Sequence, residues 1–335
     1  MKIRSIKISG WIISLALIIF AIFYFDWEKT LNVLKVVNAW FFLYLFFIYI
    51  IDYVLRAFRW KLLIYPIKRT TSLRKLFYSY NISQFANVFL PAKTGELFRV
   101  LITSKEEKIS KRTIFGTLFL ERSFDIFGMG VLILVVVFFS KIKTLDKNVL
   151  SNLLFFAAIF FVFFSFMMVS ILLIKHLAFI KKKSAKLKKV IEFLEPFYHG
   201  FSSIRQFSLL LSVMILSIFM WGLNAFILYL YTLSLSLGIS FFDSIVVLLF
   251  QLLGELIPSA PSSVGTFHAS TVIGGNFVGL TNDQGIAIGI LNHSYDILVR
   301  LIFGFVSIQL SRFAFKEGLK SIGTIKSAKY ITESE

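Results

Sequence analysis

An apolar, helix-forming chain broken twice in the same manner can close on itself in only a few ways. This sequence carries such a pair of breaks, half its length apart. The first reads Asn87-Val-Phe-Leu-Pro91-Ala-Lys93-Thr-Gly95-Glu96-Leu-Phe-Arg99. The second reads Glu255-Leu-Ile-Pro258-Ser-Ala-Pro261-Ser-Ser-Val-Gly265-Thr-Phe-His268. Both contain Pro-x-x-x-Gly, and both sit between long hydrophobic segments. Each is followed at the same distance by an acidic residue inside an apolar helix: Gly95 to Asp125 is 30 positions and Gly265 to Asp296 is 31. Paired Pro/Gly-interrupted segments in corresponding halves of a membrane protein point to a binding site where the breaks meet.

Composition sets the solvent. The chain is 57% hydrophobic and only 16% charged, and several runs near twenty residues carry almost no charge, which a soluble domain does not sustain. Leu153–Ile174, Phe207–Gly238 and Ile286–Leu310 read as spans. Gly10–Phe25 and Trp40–Leu55 are shorter, and flanking aromatic and snorkelling basic residues complete them. Thr113–Ser140 is long enough to cross and has Glu121, Arg122 and Asp125 inside it. Lys2, Arg4 and Lys7 before an apolar run also describe a secretory signal, but no small-residue cleavage site follows, so an uncleaved first span is expected. With no cysteine, disulfides and thiolate chemistry are excluded.

The formal net charge of +18 is explained by where it falls. With the N-terminus inside and both broken segments entering and leaving on one side, cytoplasmic regions carry 27 Lys and Arg and outside regions carry 5. That asymmetry is a positive-inside signal. It places the basic clusters against anionic inner-leaflet lipids and leaves nucleic acid as the weaker explanation. Each half then holds three crossings and one re-entrant hairpin, about Leu73–Thr103 in the first and Phe241–Thr281 in the second. Three crossings invert the second half relative to the first. The expected fold is therefore an all-α polytopic membrane protein of eight hydrophobic segments, about six full spans plus two re-entrant helical hairpins. It forms one transmembrane domain over residues 1–335, with inverted halves 1–140 and 152–310, a tail 311–335, and both termini cytoplasmic.

Buried charge marks the candidate site, because a charge at the bilayer centre costs about 2.5–3.5 kcal/mol on insertion scales. Lys93, Glu96 and Arg99 follow the first break; Glu96 and Arg99 share a helix face at i,i+3 and can pair. A shallow, snorkelling placement is the alternative. Glu121, Arg122 and Asp125 form a second cluster, read either as a proton- or cation-binding group or as an internal salt bridge. Asn292, His293, Asp296 and Arg300 form a third, with Asp296 and Arg300 at i,i+4 and His293 either a proton relay or structural. Glu255, His268 and Gln251 belong to the second hairpin. Pro91, Gly95, Pro258, Pro261 and Gly265 are the structural breaks. No nucleophile, nucleotide-binding or zinc motif stands in its required context, and the four histidines lack metal-ligand spacing. No catalytic residue, metal or cofactor is expected, and any transport is passive or ion-coupled.

The run Leu90-Pro91-Ala-Lys93-Thr-Gly95-Glu96-Leu-Phe-Arg99, then Leu120-Glu121-Arg122-Ser-Phe-Asp125, and later Pro258-Ser-Ala-Pro261-Ser-Ser-Val-Gly265-Thr-Phe267, resembles the flippase-like transmembrane region of lysylphosphatidylglycerol synthases. The resemblance covers nearly the whole chain. It implies movement of a phospholipid or lipid-linked molecule between leaflets. The cytosolic aminoacyl-transfer domain of the bifunctional members is not found in this sequence, so synthase activity is not carried over, and a separate cytosolic enzyme becomes a partner to consider. The chain departs from the family pattern at His268, where an acidic residue is expected, and at Asn292-His293-Ser294-Tyr295, where an aromatic-Arg pair is expected.

Taken together, these readings predict lipid translocation through a polar seam between the hairpins. Lys93 and Arg99 would hold a phosphate, and Glu96 and Glu121 would orient them. Two other readings stay open. One is a membrane-embedded enzyme or enzyme partner acting on lipid-linked sugars or lipid headgroups. The other is a scaffold docking proteins through the basic loop Lys175–Lys189.

Overall fold

The structure, a computed structural model, describes residues 27–90, 93–139, 151, 154–155, 157–166, 169, 199–201, 206–257 and 259–311. The expected first span Gly10–Phe25, the C-terminal end of Leu153–Ile174, the basic loop, the tail beyond Ser311, Pro91 and Pro258 lie outside those residues. The described residues are helical, without strands. They form α1 (Trp27–Leu34), α2 (Ala39–Ile64), α3 (Leu73–Phe89), α4 (Glu96–Glu107), α5 (Lys111–Phe139), α6 (Ala157–Phe166), α7 (Phe207–Ser234), α8 (Phe241–Leu256), a 3-10 turn (Pro261–Ser263), α9 (Thr266–Phe277) and α10 (Asn282–Leu310).

Helix lengths sort these elements into two kinds. Helices α2, α5, α7 and α10 run 26 to 29 residues and are apolar enough to cross a membrane; at 1.5 Å per residue each exceeds the ~30 Å hydrocarbon core. The hairpin arms α3, α4, α8 and α9 have 17, 12, 16 and 12 residues, which at the same rise is about 18–25 Å and too short to cross alone. Local chemistry sets the boundaries. Asn38 caps α2 by accepting from the Trp40 amide, and capping boxes Ser240/Asp243 and Thr281/Gln284 open α8 and α10, each satisfying amides that a helix start leaves free. Helix α2 extends past the expected Leu55 to Ile64, so Arg56 and Arg59 lie within a span instead of in a cytoplasmic loop. Removing both from the 27 inside residues leaves the charge asymmetry intact.

The two hairpins sit between the long helices. Arm α3 packs on α4 and along α10, while arm α8 packs on α9 and against α5. Helices α2 and α7 pack on each other, α2 packs on α3 as α7 does on α8, and α4 packs on α5 as α9 does on α10. Exchanging α2 with α7, α3 with α8, α4 with α9 and α5 with α10 carries these pairs onto one another, although the close packing of α5 on α7 has no counterpart of like extent between α2 and α10. An aromatic cluster joins α2 to α10, with Tyr53 edge-on to Phe303 at 4.9 Å and Tyr49 to Tyr295 at 5.8 Å. The outward faces of the long helices are apolar, as in Phe47, Phe58, Ile215, Phe219 and Phe305, which suits contact with lipid.

The two hairpins close through glycine for different reasons. Gly95 has an ordinary helical φ of −57°, but a Cβ there would meet Asn87 Oδ1 and the Ser83 carbonyl at 2.5 Å. Gly265 instead has φ +93°, a conformation costly for other residues. The close approach in the second hairpin falls at Gly254, where a Cβ would lie 2.7 Å from the Thr266 carbonyl. Gly95→Ala or Gly254→Ala should lose about 1–3 kcal/mol through overpacking. Gly222→Ala, in α7 with nothing within 4 Å of the new Cβ, should be neutral or stabilising by about 0.5–1 kcal/mol. Thermal unfolding in detergent measures the contrast.

Candidate functional site

The polar side chains of the long helices and of the hairpins converge on one central cavity of about 190 Å³. It has room for several waters or a small polar moiety, and its lining is polar rather than suited to acyl chains. Both halves line it: α2, α3, α4 and α5 from one side, α7, α8, α9 and α10 from the other.

One wall is an ion-pair network anchored by two buried arginines. Arg59, fully buried, reaches Glu121 at 3.2 Å and Asp125 at 2.8 Å, and donates to Ser217 Oγ on α7 at 2.9 Å. Arg99 reaches the other Glu121 oxygen at 2.8 Å and lies flat over the Trp60 ring, 3.6 Å from its centroid. Trp60 is held in turn by donating to Thr117 Oγ1 at 3.1 Å. A planar guanidinium can pair at its edge and stack on its face at once, and lysine cannot. Arg122 pairs with Glu96 and, at 3.2 Å, with Asp125. Four elements (α2, α4, α5 and α7) are thus tied through three arginines and three carboxylates.

The rest of the lining repeats the theme with fewer members. Asp52 and Arg56 pair at 2.7 Å, and Asn224 of α7 bridges them, donating to Asp52 and accepting from Arg56 at 3.2 Å each. Asp296 and Arg300 pair at 2.6 Å. Gln251 donates to Thr271 at 3.2 Å and accepts from Asn292 at 3.3 Å, linking α8, α9 and α10. His293 donates from Nε2 to the Ser262 carbonyl at 2.8 Å and stacks on Phe267, with its ring edge toward His268 at 4.9 Å. Where the hairpin tips meet, Lys93 pairs with Glu255 at 2.8 Å.

Six carboxylates and four basic side chains line the cavity. The two arginines behind the wall, Arg59 and Arg99, bring the charges into balance. Every carboxylate has at least one ion-pair partner, as burial in low dielectric demands. The lining therefore offers both donors and acceptors to an incoming headgroup, with no cluster of unpaired positive charge.

A family model described as the lysylphosphatidylglycerol synthase TM region matches residues 11–304. The chain belongs to this family. Two curated relatives in Methanocaldococcus jannaschii are similar to it. The UPF0104 membrane protein MJ1595 is 25% identical over 323 residues, covering 92% of this chain and 96% of that one. The UPF0104 membrane protein MJ1078 is 26% identical over 188 residues, covering 56% of this chain and 77% of that one. No solved structure gives a significant match. The chain is thus a membrane protein of the lysylphosphatidylglycerol synthase TM family, with several apolar helices long enough to cross.

In this family member, nine of the expected site residues line the cavity: Lys93, Glu96, Glu121, Arg122, Asp125, Glu255, His293, Asp296 and Arg300. Arg99 and His268 do not; Arg99 lies behind the wall and His268 behind His293. The Glu96–Arg99 pairing expected from i,i+3 spacing is replaced by Glu96–Arg122 and Arg99–Glu121, because α4 packs on α5 and cross-helix partners are closer than neighbours along the helix. The Arg122–Asp125 and Asp296–Arg300 pairs form at the expected spacings. Sequence reasoning missed Asp52, Arg56, Arg59 and Asn224. The signal was there: Asp52, Arg56 and Arg59 stand at i, i+4 and i+7 on one helix face, but ending the span at Leu55 assigned both arginines to solvent.

Arg99→Ala should destabilise by about 3–5 kcal/mol, because it strands Glu121 against a single partner in a buried setting. Lys93→Ala, at a half-exposed turn position and paired with the partly open Glu255, should cost about 1 kcal/mol or less. Thermal melts of the two purified variants test this difference.

Proposed function

We propose that this protein carries the headgroup of a membrane lipid between leaflets through the central cavity while the acyl chains stay in the bilayer. The observation that carries the reading is a polar cavity lined by both halves, its charges balanced by the two arginines behind its wall, inside a helical bundle whose outer face is apolar. Apolar packing of the same volume is often as stable as a buried ion network or more so, so stability alone is a weak reason for ion pairs that also line a cavity. At a translocation site, exchangeable ion pairs can trade partners with a passing headgroup and restore one another afterwards. The family name concerns a lipid, which supports the same substrate class.

The proposal includes the topology. Hairpins α3–α4 and α8–α9 are re-entrant, the two halves (1–140 and 152–310) are inverted, about six segments cross fully, and both termini face the cytoplasm of a cell membrane. Support comes from the arm lengths, from the exchange symmetry of the packing, and from the charge asymmetry. Single cysteines at Ser104 and at Asn276 should be labelled by impermeant maleimide from opposite sides of oriented vesicles. Same-side labelling would remove the inverted arrangement.

The function is tested in proteoliposomes by leaflet exchange of fluorescent anionic, zwitterionic and polyprenyl-phosphate lipids. Arg122→Gln and Asp296→Asn, each removing one cavity-facing member of a pair, should slow exchange at least about tenfold if each charge-assisted contact is worth ~1.4 kcal/mol or more. Wild-type protein that folds and exchanges no lipid defeats the proposal.

A further inference from the structure

A second chamber of about 260 Å³ opens between the hairpin tips. It shares Asn87, Lys93, Glu255, His293 and Arg300 with the central cavity, so the Lys93–Glu255 pair stands in the partition between the two. The sign of the charge changes across it. Among ionised side chains, the central cavity has more carboxylates than bases, whereas the tip chamber is lined by two cations, Lys93 and Arg300, and one carboxylate, Glu255. Hydroxyls of Ser259, Ser262 and Ser263 line the same chamber. Ser262 Oγ donates across the gap to the Val88 carbonyl at 3.3 Å, a second contact between the two tips.

We infer that the tip chamber is a phosphate-binding vestibule, and that a phosphate entering it takes Lys93 from Glu255 and so opens the partition to the central cavity. The chemistry follows from the partners present. Lys93 has one carboxylate partner at 2.8 Å and its side chain is half exposed, so it is free to turn from a single carboxylate to a phosphate carrying more acceptor oxygens. Arg300 spends one nitrogen on Asp296 at 2.6 Å, and its five-donor fork leaves other N–H groups for a second anion. The buried Arg99, the cation expected at first to hold the phosphate, is committed to Glu121 and Trp60 and cannot reach it. The inference deepens the translocation reading and rests on it only for the lipid as the source of the phosphate.

The chain has no native cysteine, so a Ser259→Cys reporter can be labelled alone in the full-length protein, held in phosphate-free maltoside micelles. The probes are glycerol 1-phosphate, phosphatidic acid and, as the phosphate-free control, diacylglycerol. Phosphatidic acid should slow maleimide labelling about tenfold, the effect of a few charge-assisted hydrogen bonds, and diacylglycerol should not. Protection by glycerol 1-phosphate as well identifies the phosphate alone as sufficient; protection by phosphatidic acid only assigns the site to a lipid headgroup. Lys93→Gln, at an exposed turn that folding does not depend on, should remove most of the protection, and Glu255→Gln should strengthen it. Equal labelling with and without both phosphate probes, or protection that survives Lys93→Gln with Arg300→Gln, overturns the inference. Leaflet exchange without protection would leave the translocation reading standing and this site refuted; protection without exchange would do the reverse.

Discussion

Arg59 and Arg99 hold the rest of the structure in place. Neither lines the cavity; Arg59 pairs with Glu121 and Asp125, and Arg99 with Glu121, from behind the wall those carboxylates form. Through Arg59 the network reaches α2, α5 and α7, and through Arg99 it reaches α4. Desolvating such charges is costly, and the cost is offset only when each has a close, well-oriented partner. That condition fixes where α4 docks on α5 and so where the first hairpin tip points.

From that docking the cavity follows. Once α4 is set, Glu96 meets Arg122, the turn before α4 carries Lys93 toward the second hairpin, and Glu255 receives it. The second half reaches the same place by lighter means. Gln251, Thr271 and Asn292 form a neutral hydrogen-bonded chain where the first half has ions, and Asp296–Arg300 is a pair within one helix. The two halves thus share a packing scheme and differ in chemistry: a cross-linked ionic network in the first, a neutral hydrogen-bonded chain and one ion pair within a helix in the second.

Much of the candidate site was legible before the structure because charge inside an apolar run is rare and conspicuous. The turns at Gly95 and Gly265, the approximate hairpin limits and the Asp296–Arg300 spacing could all be read from local rules of helix geometry. What escaped was long-range. The partner of Arg99 sits 22 positions away on another helix, and Asn224 meets Asp52 across 172 positions. Asp52, Arg56 and Arg59 were hidden for a different reason: basic residues at the end of an apolar stretch normally snorkel to the interface, and only packing against α5 and α7 turned these inward.

The sequence by itself determined a membrane protein of apolar helices interrupted twice, because hydropathy, proline and glycine act locally and the bilayer leaves a chain few alternatives. It also determined which residue types had to be buried together. Tertiary structure alone decided which charge faces which. Arg99 became part of the wall and Arg122 part of the lining, although both stand in ionic segments of the first half that read alike. The difference comes from depth and neighbours: Arg99 lies under Trp60 and Tyr80, where only pairing makes the charge tolerable, while Arg122, on the cavity side of α5, remains partly open to it. Such a choice depends on how α4 and α5 pack, and side-chain spacing along one helix carries no information about the helix beside it.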